Sequence, residues 1–129
     1  MILETSFVID FLKNEKDAVT KLRSLVENDE VLGIAAPTIF ELWTGLHALD
    51  KTETEKNRVN SIINSLIVYH LDYESATVSG KINGELIKKG LKIDPEDCMI
   101  AGIAIINNQK LLTKDEHFKR IEGLKVVEY

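Results

Sequence analysis

Short apolar runs alternate along this chain with segments whose apolar residues recur at helical spacing. Residues 1–4 are short and largely apolar, and Thr5-Ser6 then offers a helix cap before residues 7–12. This predicts a buried strand passing directly into a helix. Val19, Leu22, Leu25 and Val26 give an amphipathic second helix ending near Asn28. Residues 31–36 form a second strand-like run, and Pro37 starts a helix with Ile39, Leu42, Trp43 and Leu46 on its apolar face. Residues 50–58 are charged and predicted to be exposed, ahead of a stripe of Val59, Ile62, Ile63 and Leu66. Ile67, Val68 and Tyr69 make the third strand candidate. Residues 73–89 read as a long helix with Ala76, Val78, Ile82, Leu86 and Ile87 as core candidates and Gly90 as its stop.

Residues 93–106 form the stretch around which the rest is organised. Asp94 can cap a helix, Pro95 suits its first position, and from Cys98 to Ile106 it is apolar on nearly every side. Such a helix is expected to run through the middle of the protein. Residues 110–113 supply a fourth strand, 115–121 a short helical turn and 124–127 a fifth strand. Strands separated by helices predict a parallel sheet covered on both faces, a three-layer α/β/α arrangement in one domain over residues 1–129.

With 44% hydrophobic and 29% charged residues the composition is that of an ordinary soluble globular protein. The net charge of −5 argues against a simple basic nucleic-acid-binding face. It leaves room for an enzyme that meets nucleic acid through metal ions. The single cysteine, Cys98, has no internal partner, no apolar run reaches membrane length and no signal-peptide pattern opens the chain, so the cytoplasm is the expected compartment.

Four acids gain meaning on this layout. Glu4 ends the first strand, Glu41 lies early in the helix after the second, Asp97 opens the central helix and Asp115 follows the fourth strand. In a parallel sheet, strand C-termini and helix N-termini share one edge, where open α/β sheets bind ligands. Like charges gathered there repel, by roughly 4 kcal/mol for a pair ~4 Å apart at an effective dielectric near 20. A divalent cation offsets this, and oxygen-only ligands suit Mg²⁺ or Mn²⁺. That points to metal-assisted hydrolysis of a phosphodiester. Glycine-rich phosphate loops, zinc-type His and Cys spacing and a nucleophile elbow are all missing. Each acid also has a plain structural reading. Asp97 can close a capping box with Asp94, Glu116 with Thr113, Glu41 suits a helix N-terminus, Glu4 is a polar strand end and Asp10 a solvated helix residue.

The segments 2–10 (ILETSFVID), 40–46 (FELWTGL), 97–104 (DCMIAGIA), 111–118 (LLTKDEHF) and 123–126 (GLKV) together resemble the PIN-domain family, specifically VapC-type toxins of toxin–antitoxin pairs. The resemblance spans essentially the whole chain. It implies a five-stranded parallel sheet of order 3-2-1-4-5 and Mg²⁺- or Mn²⁺-dependent endoribonuclease activity. It also implies a homodimer held in check by a VapB-type antitoxin. Glu41, Asp97 and Asp115 match the family's acidic positions, and Thr5, Ser6 and Thr113 its small hydroxyl positions. Glu4 stands where the family usually has Asp, which lengthens that side chain by one methylene. Hence the expected site is Glu4, Glu41, Asp97 and Asp115, supported by Thr5, Ser6 and Thr113, acting on RNA. The rival expectation is a catalytically weakened or silent binding module.

Overall fold

The computed structural model describes all of residues 1–129. Its five strands are β1 (Ile2–Leu3), β2 (Gly33–Ala35), β3 (Ile67–Tyr69), β4 (Leu111–Leu112) and β5 (Val126–Val127). They form one parallel sheet in the order β3-β2-β1-β4-β5. The helices are α1 (Thr5–Leu12), α2 (Lys16–Glu27), α3 (Ala36–Ala48), α4 (Glu53–Asn64), α5 (Tyr73–Lys88) and α6 (Pro95–Ile106), with a 3-10 turn at Glu116–Arg120. None is long and apolar enough to cross a membrane.

Very short strands suffice because each sends alternate side chains into opposite cores. Ile2, Ala35 and Leu111 enter a core with α5, α6 and the 3-10 turn, where Ile100, Ile103 and Phe118 are wholly buried. Leu3, Ile34 and Leu112 enter the other, packed by Phe7 and Val8 of α1, Leu25 of α2, Leu42 and Leu46 of α3 and Val59 of α4. Both faces are therefore covered, as the strand and helix alternation predicts. Residues 98 and 100–104 of α6 are all buried, so the central helix is central in fact.

Some positions depart from the sequence reading, Val26 of α2 among them at 60% exposure, and α4 adds to it. The charged run before Val59 is helical, because Thr52 and Glu55 close a capping box that starts α4 at Glu53. On α5, Ala76 and Ile87 face solvent, and the buried positions are Ser75, Ser79 and Leu86. Small polar residues win there because α5 lies against α6 at Gly102. A Cβ on Gly102 would stand 2.1 Å from Ser79 Oγ and 2.9 Å from the Ser75 carbonyl oxygen. Ser79 hides its hydroxyl by donating it to that same carbonyl at 2.7 Å. Gly102→Ala is therefore expected to cost about 1–3 kcal/mol of stability by urea unfolding, through overpacking against a backbone that cannot retreat. An unchanged midpoint would show that the two helices have slack.

Candidate active site

β1 ends against β4, where the Glu4 N–H donates to the Leu112 carbonyl at 3.0 Å. The chain turns at Glu4, which is extended (φ −77°, ψ 160°) and caps α1. Glutamate is an uncommon cap; shorter Asp, Asn, Ser and Thr are preferred. Here the longer side chain curls back. Its Oε2 accepts from the Ser6 N–H at 3.0 Å, from the Ser6 hydroxyl and from the Thr113 hydroxyl at 2.8 Å. Glu4 is only 4% exposed, so this carboxylate is a buried charge satisfied by three donors. The cap of α1 is thus Glu4, with Ser6 as its partner, not Thr5-Ser6.

Glu41 lies in the second turn of α3 and is half-buried. Thr5 Oγ1, on the first residue of α1, is 2.8 Å from Glu41 Oε1 and 3.0 Å from Thr38 Oγ1. Burial pushes the Glu41 carboxyl up, the Thr5 hydrogen bond pulls it back, and the charges of Glu4, Glu96 and Asp94 raise it again.

Asp97 enters from the first turn of α6. The capping-box account does not hold for it, since Asp94 occupies the cap position without making a side-chain capping bond. Its carboxyl is pushed up to about 7, first by burial and then by the charges of Glu4, Glu41, Asp115 and Asp94, all acting in one direction. The edge beyond the strand C-termini therefore does bring Glu4, Glu41, Asp97 and Asp115 together. Asp94 and Glu96 enlarge the negative cluster beyond the expected four.

Asp115 is held by the backbone on both sides. Its N–H donates to Thr113 Oγ1 at 3.0 Å, and its Oδ1 accepts from the His117 N–H at 2.9 Å, starting the 3-10 turn. Glu116 does not cap with Thr113, because Thr113 Oγ1 accepts from the Asp115 N–H and Asp115 is itself the cap of the turn. His117 Nδ1 rests 3.2 Å from Asp115 Oδ1 with an exposed ring.

Asp10 is not a free surface charge. Its Oδ2 accepts from the Tyr129 hydroxyl at 2.8 Å and from Lys114, and the Tyr129 ring meets Phe7 edge-on at 4.8 Å. The Lys114 contact ties residues 113–115 to α1, and the Tyr129 contacts tie the C-terminal residue to the same helix. The sequence carries a faint signal for this, since Lys114 stands between two site residues. Tyr129→Phe, which keeps the ring contact and loses the hydrogen bond, is expected to cost about 1 kcal/mol in urea unfolding. A loss indistinguishable from zero would mean that Lys114 alone holds Asp10.

Thr38 was not among the expected supporting residues. Its place three residues before Glu41, on the same helix face, is the signal that marks it.

Comparison with known proteins gives this constellation a family. The PIN domain matches residues 1–124. The tRNA(fMet)-specific endonuclease VapC of Salmonella typhimurium is 29% identical over 99% of this chain and 96% of its own length. Ribonuclease VapC1 of Methanocaldococcus jannaschii is 32% identical over 98% of this chain and 85% of its own. Among solved structures, VapBC2 from Rickettsia felis, bound to a DNA fragment from its promoter, superposes with a TM-score of 0.89 at 25% identity. That match covers 99% of this chain and 97% of the other. DNA-bound VapBC from Salmonella typhimurium gives 0.83 at 27% identity, covering 98% and 96%. With the PIN domain matched over residues 1–124 and the fold in agreement, the chain belongs to the PIN-domain family.

Proposed function

We propose that this protein is a metal-dependent endoribonuclease of the VapC type, cutting RNA at the Glu4, Glu41, Asp97 and Asp115 edge. The observation that carries the reading is Asp97, a partly buried carboxylate raised to about 7 by burial and by the charges of Glu4, Glu41, Asp115 and Asp94 around it. Nothing in the fold needs this repulsion, because Asp97 is not used as a cap. Such a concentration of negative charge is what a bound cation would relieve.

The residues fit a hard divalent cation such as Mg²⁺ or Mn²⁺, since every candidate donor is a carboxylate oxygen. No three His, Cys, Asp or Glu side chains close around one point by themselves. An ion here would therefore take only one or two carboxylates from the protein and complete its shell with water. When bound, the ion would neutralise charge on a phosphodiester and activate water for its hydrolysis.

Asp97 and Glu41 would hold the ion, and Glu4 and Asp115 would complete the pocket. Thr5 orients Glu41 through its hydroxyl, while Ser6 and Thr113 fix Glu4. Asp115 is kept in place by its two backbone bonds. RNA is the substrate class because the relatives that span the chain are named as ribonucleases or tRNA endonucleases. The experiment is incubation of purified protein with single-stranded RNA and Mn²⁺, with an EDTA arm. Cleavage in the Mn²⁺ arm alone supports the reading; cleavage unaffected by EDTA, or none at all, opposes it.

Partners follow from the same relatives. The neighbouring structures are VapBC complexes, so a VapB-type antitoxin is the proposed partner; a homodimer is proposed from the family resemblance alone. Phe40 and Trp43 are 62% and 37% exposed on α3, apolar surface that an interface would cover.

One observation favours a silent binding module. Glu4 stands at a usual Asp position, and its Oε2 is already engaged by three donors. On that reading the parent is inert with Mn²⁺ while Glu4→Asp cleaves.

A further inference from the structure

Thr38 is wholly buried at the start of α3, and its hydrogen-bond partner is the Thr5 hydroxyl at 3.0 Å. Thr5 Oγ1 in turn stands 2.8 Å from Glu41 Oε1. A hydroxyl carries one proton, so Thr5 cannot donate in both directions. An ionised carboxylate only accepts, and a hydrogen bond to it is roughly twice as strong as one between neutral groups. Thr5 Oγ1 has two acceptors in reach, Thr38 Oγ1 and Glu41 Oε1; its single proton goes to the carboxylate, and the 3.0 Å contact with Thr38 is then made by the Thr38 proton donating back to Thr5 Oγ1. The three groups form a one-way chain from Thr38 through Thr5 to Glu41, with its origin in the core and its end at the acidic edge.

We infer that Thr38 is a positioning residue: its buried hydroxyl orients the Thr5 hydroxyl, which holds the Glu41 carboxylate toward the site. The inference rests on the proposed reading of Glu41 as a cation-holding acid. Two features make the arrangement suited to that job. Threonine is β-branched and stiff about χ1, so packing of its methyl group fixes where its hydroxyl points. Thr38 also lies one helical turn before Glu41, so one rigid helix sets both ends of the chain, with only Thr5 reaching across from α1. Residues that orient metal-holding side chains commonly change affinity by about 10- to 100-fold when removed. Thr38 acts one step further out, and the expected effect is at the lower end of that range.

The test is Mn²⁺ titration calorimetry on the folded, chelator-treated protein, which needs no RNA. The variants are Thr38→Val, Thr38→Ser, Thr5→Val and the double variant Thr5→Val/Thr38→Val, each checked by circular dichroism. Thr38→Val is expected to weaken Mn²⁺ binding about five- to tenfold, and Thr38→Ser to stay within about twofold of the parent. The double variant should match Thr5→Val alone, because Thr38 has nothing left to act through. Parent-like binding by Thr38→Val overturns the inference, as does a double variant in which the two losses multiply. Equal losses for Val and Ser overturn it too, by assigning the effect to methyl packing. A parent that binds no Mn²⁺ overturns the acidic-site reading itself and takes this inference with it. A parent that binds beside an indifferent Thr38→Val overturns only the inference.

Discussion

Asp97→Asn is expected to lower Mn²⁺-dependent RNA cleavage at least about a hundredfold, or about 2.7 kcal/mol of transition-state stabilisation, without unfolding the protein. Asparagine keeps the shape and removes the charge, at a position whose side chain the helix does not use as a cap. The fold should in fact gain from the change when no metal is present. In the folded protein the Asp97 carboxyl is raised to about 7, from an ordinary value of 3.8. Between those two values the folded state holds a proton that the unfolded chain has released. Stability of the metal-free protein therefore falls as pH rises through that window, by an amount on the order of 2 kcal/mol after allowing for solvent at the mouth of the site. Urea unfolding at about pH 5 and pH 8 should show this fall in the parent, and Asp97→Asn should reduce it. Full cleavage by the variant would remove Asp97 from the mechanism. A parent equally stable at both pH values would show that neither burial nor the neighbouring carboxylates raise Asp97.

Glu4→Ala should be the most destabilising change at the site, by about 2–3 kcal/mol in urea unfolding. Three donors lose their acceptor together: the Ser6 N–H, the Ser6 hydroxyl and the Thr113 hydroxyl. Ser6 is partly exposed and can turn to water, but Thr113 is 1% exposed and keeps only a long 3.4 Å contact with the Ser6 hydroxyl. Loss of one negative charge beside Asp97 and Glu41 offsets part of the cost. A loss well below 1 kcal/mol would restore the simpler account of Glu4 as a polar strand end.

Glu4 also shows why some of the site could be read from sequence and some could not. Strand runs, helix periods and the Asp94-Pro95 start are local signals, and they put Glu4 and Asp115 at strand ends and Glu41 and Asp97 in the first two turns of their helices. The shared edge then followed from parallel topology alone. What each carboxylate bonds to is non-local. The Thr113–Glu4 and Asp10–Tyr129 contacts join residues more than a hundred positions apart, and no spacing rule reaches that far. The buried serines of α5 were hidden for a related reason. A search for apolar faces favours Ala76 and Ile87, whereas close approach to Gly102 requires small side chains. Thr38, three residues before Glu41, and the Thr52/Glu55 box that starts α4 are both within reach of local spacing rules.

The most direct measurement is a thermal melt of chelator-treated protein with and without Mn²⁺, run beside Asp97→Asn. A ligand that binds only the folded state adds about 2.7 kcal/mol at a hundredfold excess over its dissociation constant. A rise of several degrees in the parent, absent from Asp97→Asn, is the result expected of an acidic edge built to hold a cation. Identical melts with and without Mn²⁺ in the parent would contradict it.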